Sequence, residues 1–216
     1  MGGCLLDDDS RRYASLSHRQ SFAMSGMATQ SLGVGWTLGS QGWMSAGYTH
    51  FGDHDYAEQQ LSVGGGMRLD DWIDLGVEGR YCHLGTGDGF NETDRWVAVA
   101  VRTAVRVDKK WIFSVLAGSR PWDSVRPWRM HLNAMFTSPG GLLSVVELES
   151  EETFRFRCGV EYCYREHFLF RVGMATRPVL LTFGLGLRYD RYCFDLAAEV
   201  HNTLGITPHI SMSLCL

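Results

Sequence analysis

The feature that most constrains this chain is an alternation of apolar and polar residues that recurs along its length. The clearest stretch runs from Trp96 to Val107. One of its faces holds Val97, Val99, Val101, Thr103, Val105 and Val107, and the other holds Trp96, Ala98, Ala100, Arg102, Ala104 and Arg106. Because successive side chains of a strand point to opposite sides of a sheet, the pattern predicts strands with two chemically different faces.

The same alternation predicts about fourteen strands in all (12–14). The other clear stretches are 32–38, 61–69, 73–81, 153–164, 181–189, 192–200 and 210–216. Weaker ones lie near 15–22, 43–51, 110–118, 129–136, 142–148 and 167–174. Segments rich in Gly, Asp, Asn and Pro separate the stretches; some are two residues long and others are six to nine. Such a mixture of tight turns and longer loops is typical of outer-membrane barrels.

The composition of the two faces favours a membrane barrel over a soluble β-sandwich, which is the alternative that alternation leaves open. The polar face is made of Gly, Arg, Glu and Asp with hardly any Lys, which suits a confined interior better than an exposed sheet surface. The apolar face ends in aromatic residues, as the interfacial girdles of membrane barrels do: Trp36, Tyr81, Tyr164, Tyr189 and Tyr192. We therefore predict an all-β, transmembrane, antiparallel up-and-down β-barrel in the outer membrane of a Gram-negative bacterium.

Bulk properties exclude other classes of protein. The net charge is −4 and there is no basic run, so no nucleic-acid partner is expected. No stretch approaches 18 apolar residues, the length required for a transmembrane helix. The start lacks the charged and apolar regions of an export signal, so the chain is expected to be a mature or incomplete form. We assign residues 1–14 to an irregular N-terminal segment and residues 15–216 to one barrel domain.

The C-terminal third carries a set of motifs in a characteristic order. They are Gly159-Val-Glu-Tyr162, Phe170-Arg-Val-Gly173, Phe183-Gly-Leu-Gly186, Phe194-Asp-Leu-Ala197 and the segment from His201 to Ser213. Their order and spacing resemble the end of the PorV-like, FadL-related outer-membrane barrels of Bacteroidota, and residues 51–89 resemble a hairpin of that family. The likeness covers roughly residues 16–216. The family's N-terminal segment, which folds into the lumen, is not recognisable here, so we expect the chain to lack it.

The resemblance implies two kinds of function. The family includes long-chain fatty-acid transporters and a component of the type IX secretion system that binds secreted cargo. Because a fatty-acid path requires an apolar interior, the charged inward face favours a binding or accessory role in type IX protein secretion. The expected partners are outer-membrane lipid and secretion-machinery proteins or secreted cargo. The alternatives are a FadL-like transporter of hydrophobic compounds, or a structural or orphaned barrel with no transport activity.

Charged residues on the inward face are the candidate site residues. They form either a selectivity or ligand site or a set of mutually paired charges, because buried charges need partners. We expect inward carboxylates, Glu161 and Glu199 among them, to neutralise Arg157 and Arg188. The candidates that line the lumen are Glu78, Arg80, Arg102, Arg157, Glu161, Arg188, Asp195 and Glu199.

Catalytic and metal motifs are absent from the sequence. There is no G-x-S-x-G or H-E-x-x-H motif, and His50 and His54 flank a Gly-Asp turn. We predict no enzymatic activity, no metal site and no cofactor. In the last hairpin, a pairing centred on residue 204 sets Cys193 opposite Cys215, which predicts either a disulfide or two adjacent thiols.

Overall fold

The computed structural model describes residues 12–39, 41–87, 92–119, 128–150 and 153–216. These residues form fourteen antiparallel strands that close into one barrel, in which the last strand pairs with the first. The strands are β1 (Arg12–Gln20), β2 (Ala28–Leu38), β3 (Gly42–Gly52), β4 (Tyr56–Asp70), β5 (Ile73–Thr86), β6 (Glu92–Arg106), β7 (Trp111–Ser119), β8 (Trp128–Thr137), β9 (Leu142–Ser150), β10 (Phe154–Tyr164), β11 (Phe168–Ala175), β12 (Leu180–Tyr189), β13 (Tyr192–His201) and β14 (Gly205–Cys215).

The predicted fold class and strand number are confirmed. Each predicted stretch coincides with a strand, and each strand pairs with its neighbours in sequence, as an up-and-down barrel requires. The first strand begins at Arg12, inside the segment 1–14 that was predicted to be irregular; residues 1–11 lie outside the described residues. No helix in the described part of the chain is long and apolar enough to cross a membrane.

The two faces of the strands are those that the alternation predicts. On β6, Val97 and Val101 expose 63% and 47% of their surface on the outside of the barrel. Ala98 and Ala100 face the interior and expose only 4% and 5%. Large exposed apolar side chains cover the outer face on every strand. In a soluble barrel this large apolar surface would be in contact with water, which is unfavourable.

The two ends of the barrel differ in the length of their connections. The end at which β1 begins and β14 ends, here called the terminal rim, has connections of two to four residues. The opposite end, here called the loop rim, has connections of three to eight residues, the longest of them at 120–127. Outer-membrane barrels carry short turns on the periplasmic side and longer loops outside.

Small residues on the inner face let charged side chains of neighbouring strands approach each other. A Cβ on Gly186 would lie 2.6 Å from the Asp195 carboxylate and 3.0 Å from Leu169. Leu169 is itself 2% exposed, so this part of the wall has no spare volume. The glycines of the polar face therefore make room for charged neighbours, as in a confined interior.

The register predicted for the last hairpin is wrong by two residues. Cys193 lies opposite Ser213, and Cys215 lies opposite Tyr13 of β1. Cys193 and Cys215 are therefore not directly opposed, and this register gives the predicted disulfide no support. A tight connection at 202–204 causes the difference: the imidazole Nδ1 of His201 accepts hydrogen bonds from two of its backbone N–H groups, and Gly205 takes a φ of +92°.

Candidate functional site in the barrel lumen

Among the described residues, a group of five ionisable side chains in the lumen lies on three adjacent strands, β8 to β10. Its members, here called the β8–β10 cluster, are His131, Glu147, Glu149, Arg155 and Arg157. The antiparallel register sets Glu149 directly between His131 and Arg155, and sets Arg157 opposite Glu147. Their positions on the inner face follow from the alternation of each strand, so cross-strand pairing assembles the cluster.

Glu149 is the centre of this cluster. Its side chain is only 6% exposed, and its Oε2 lies 3.0 Å from Nη2 of Arg157 and 3.7 Å from Nη1 of Arg155. The angles at Oε2 satisfy no hydrogen bond, so the attraction between these groups is ionic. Because a buried carboxylate is costly without cations beside it, the two arginines are what permits Glu149 to be buried and charged.

His131 is the last member of the β8–β10 cluster, and its ring contacts the two glutamates. Its Nδ1 lies 3.1 Å from Glu147 and its Nε2 lies 3.4 Å from Glu149, so both ring nitrogens already face carboxylates. The ligand types are those that a metal ion uses. However, Arg157 lies within 4 Å of both carboxylates and would repel a cation. The arrangement therefore suits an ion-pair network better than a metal site.

A second network joins strands β10, β11 and β13. The Arg171 guanidinium donates through Nε to Glu161 at 2.5 Å, and through Nη1 to Asp195. Near the loop rim, Nη2 of Arg19 lies 2.7 Å from Glu199. In both cases a carboxylate on one strand is neutralised by an arginine that comes from a different strand.

A third network lies near the terminal rim on β4 to β6. Asp74 accepts from Nε of Arg68 at 3.2 Å and lies 2.7 Å from Nη2 of Arg106. Further along β5, Arg80 pairs with Glu78. The ion pairs of Asp74 link β4, β5 and β6 on the inner face, whereas Arg80 and Glu78 both lie on β5.

The eight candidates from the sequence all lie on the inner face, but two of the expected pairings are wrong. Arg157 is neutralised by Glu147 and Glu149, whereas Glu161 pairs with Arg171 and Glu199 with Arg19. Arg171 lies directly opposite Glu161 on β11, whereas Arg157 lies four residues away on the same strand as Glu161. Arg19 of β1 reaches Glu199 of β13 across the intervening β14.

Two of the candidate arginines have no such partner. Arg102 on β6 and Arg188 on β12 make no ion pair with any residue that the structure describes. Arg102 is exposed although it faces the lumen, so its guanidinium is available to a solute.

Sequence reasoning missed five members of these networks, which lie on strands with weaker patterns. The signal was present, since Glu147 and Glu149 alternate with Val146 and Leu148. The five residues are Arg19, His131, Glu147, Glu149 and Arg171.

A cavity of 880 Å³ lies in the lumen beside the β8–β10 cluster. Five arginines and three glutamates line it: Arg19, Arg102, Arg155, Arg157, Arg171, Glu147, Glu161 and Glu199. An apolar patch made of Met135, Leu143, Val145 and Leu180 forms another part of its wall.

A short 3-10 turn (Ser21–Ala23) lies at the loop-rim end of this cavity. The backbone N–H of Phe22 donates to the Thr207 hydroxyl at 2.9 Å, and its ring meets His201 edge to face at 6.0 Å. Phe22 is one of the residues that line the cavity. The turn therefore narrows the lumen on that side.

Comparisons with known proteins agree on the fold. The CymD monoaromatic hydrocarbon channel superposes with a TM-score of 0.72 at 8% identity, over 96% of this chain and 89% of that one. The Pseudomonas putida toluene transporter TodX gives 0.70 at 9% identity, over 95% of this chain and 88% of that one. The Acinetobacter baumannii outer membrane protein Omp33 gives 0.68 at 6% identity, over 96% and 98%.

No protein-family model matches the sequence, and no curated protein matches it either. At these identities the solved structures establish the fold alone. The chain has the fold of outer-membrane β-barrel channels, which include a Pseudomonas aeruginosa FadL homologue, and this fold fits an outer-membrane location. The FadL-related part of the sequence resemblance agrees with this fold, whereas the PorV-like part and an origin in Bacteroidota stay predictions.

Proposed function

We propose that the protein is an outer-membrane channel through which small anionic solutes diffuse. The observation that carries this proposal is the excess of arginine over glutamate around the lumen cavity, five against three. Rings or clusters of charged side chains set the ion preference of a membrane pore, and arginines favour anions. The apolar outer face and the shared channel fold support the placement in a membrane.

The pairing of these charges also favours anions. Each of the three glutamates that line the cavity already has an ion-pair partner: Glu147, Glu161 and Glu199. Arg102 and Arg188, in contrast, make no ion pair among the described residues. The charge in the lumen that is not neutralised by an ion pair is therefore positive. Such a charge attracts anions and repels cations.

Ion selectivity in a planar lipid bilayer tests the proposal. With about a tenfold KCl gradient across the bilayer, the reversal potential should have the sign of an anion-selective pore. Arg102→Glu should shift the reversal potential towards cation selectivity. Arg165→Glu makes the same charge change in the β10–β11 turn and should leave it unchanged. Absence of conductance, or cation selectivity in the wild type, would contradict the proposal.

A second candidate is transport of small hydrophobic compounds, and the apolar wall of the cavity favours it. Met135, Leu143, Val145 and Leu180 offer an apolar surface. Two of the structural neighbours are described as a monoaromatic hydrocarbon channel and a toluene transporter. Liposomes that contain the protein should take up benzoate faster than toluene under the first proposal, and toluene faster than benzoate under the second.

The accessory role in type IX secretion stays a prediction from the sequence resemblance. It requires a protein partner, and its test is a pull-down of secreted proteins from the host with the purified barrel. Specific retention of secreted cargo would support it.

A further inference from the structure

A single row of polar side chains crosses the outer face of six adjacent strands, β1 to β6. Each member lies directly opposite the next across a strand boundary. The row is therefore continuous, and it lies towards the loop rim. Its members, here called the polar row, are His18, Gln30, His50, Gln59, His83 and Arg95.

On strands β1 to β6, the polar row marks the edge of the apolar outer band that lies nearest the loop rim. Two residues closer to the terminal rim, the same six strands carry a second continuous row that is apolar and exposed: Leu16, Leu32, Tyr48, Leu61, Tyr81 and Val97. Two of these residues are tyrosines, which favour the boundary between hydrocarbon and headgroups. The polar row thus lies at the level of lipid headgroups.

The side chains of the polar row carry hydrogen-bond donors that are available to a ligand. In the part of the chain that the structure describes, none of the six makes a side-chain hydrogen bond or an ion pair. All six can present N–H groups, and the row contains no carboxylate. The nearest acidic turn does not compensate them, since Asp53 accepts from the backbone of Asp55 and Tyr56. Glu58 lies on the opposite, inner face and accepts from the Tyr56 hydroxyl.

The described residues of strands β7 to β14 form no such polar row on the outer face. At the loop rim its outer face ends in Trp128, Phe154 and Ile206, which are 70%, 65% and 54% exposed. A general requirement for polar side chains at the membrane boundary would apply to all sides of the barrel. The polar row is one-sided, so it calls for a local explanation.

We propose that the polar row binds the phosphate groups of lipid A, the anchor of lipopolysaccharide in the outer leaflet. The longer connections place the loop rim outside the cell, where this lipid lies. Neighbouring strands are about 4.8 Å apart, so six strands hold N–H donors along about 24 Å. Several donors and one guanidinium can then share the phosphates of one lipid molecule. The proposal rests on the membrane placement above but not on conduction.

Native mass spectrometry of the full chain in detergent micelles tests this site with defined probes. The wild type should retain diphosphoryl lipid A at least about fivefold more strongly than monophosphoryl lipid A, since charge-assisted hydrogen bonds to phosphate are the strong ones. The triple variant His50→Ala, His83→Ala, Arg95→Ala should lose that preference. Folding of the variant is checked by heat-modifiable migration in gels, and its bilayer conductance should remain that of the wild type.

The matched control removes two cations from the opposite rim. Lys109→Ala with Lys110→Ala, in the β6–β7 connection, should bind diphosphoryl lipid A as the wild type does. Equal retention of both lipids by the wild type, or an unchanged preference in the folded triple variant, would overturn the proposal. Loss of the lipid preference with normal conductance separates this site from the channel function. A wild type that shows the lipid preference but no conductance would contradict the channel alone.

Discussion

A charge placed on the outer face at the middle of the membrane is the sharpest test of the assigned faces. Val101 lies six residues from Arg95 along β6. At about 3.3 Å per residue and a strand tilt of about 40°, this is about 15 Å below the headgroup level, half of the ~30 Å hydrocarbon core. Val101→Arg should therefore lower the free energy of unfolding by about 2–4 kcal/mol. Urea unfolding in phospholipid vesicles, followed by tryptophan fluorescence, measures this change.

Two control variants on the same strand separate depth from face. Val97→Arg lies on the same outer face but only two residues from Arg95, so it should cost about 0–1 kcal/mol. Ala100→Ser points into the lumen and should be nearly silent. Equal effects of Val101→Arg and Val97→Arg, or a silent Val101→Arg, would refute the placement of this face in lipid.

Three further predictions concern the inner face. Arg157→Met should lower the free energy of unfolding by about 1–3 kcal/mol, because it leaves the buried Glu149 carboxylate with weaker neutralisation. Adding Glu149→Gln should recover part of this loss in a urea double-mutant cycle, and strictly additive losses would contradict the pair. Gly186→Ala should cost about 1–3 kcal/mol, because its methyl group would overlap a carboxylate and a leucine; unchanged unfolding would refute that packing. Alkylation of the unfolded chain without reductant should label Cys193 and Cys215, and mass spectrometry that finds them unlabelled and linked would contradict the register.

The faces of the strands could be predicted from the sequence because the alternation is a local property. The valines of β6 and the phenylalanines of β10 fall on one face whatever their partner strands do. The closed order of strands then follows from short connections that join neighbours. These features together account for the correct fold class and strand number.

Register could not be predicted from the same pattern. A slip of two residues keeps every side chain on its face, so alternation is equally satisfied when Cys193 lies opposite Ser213 or opposite Cys215. The turn decides between the two pairings, through the His201 ring and the positive φ of Gly205.

The partners in the ion pairs could not be predicted from the alternation either. Glu161 lies four residues from Arg157 on the same strand, about 13 Å away at about 3.3 Å per residue, whereas Arg171 lies opposite it on β11. The pattern of a single strand does not reveal which residue of the neighbouring strand lies opposite. The inward placement of these side chains was predictable, but the identity of their partners was not.

Solvent and lipid accessibility along one strand tests the central claim most directly. Single spin labels at each position from 181 to 188 of β12 except Gly186, which has no room for a side chain, report collisions with oxygen in lipid and with a nickel complex in water. The six native cysteines of the chain are replaced by serine. Oxygen accessibility should be high at Leu181, Phe183, Leu185 and Leu187 and low at the residues between them. An outer face that collides with the nickel complex instead of oxygen, or no alternation at all, would contradict a barrel that faces lipid outside and charge inside.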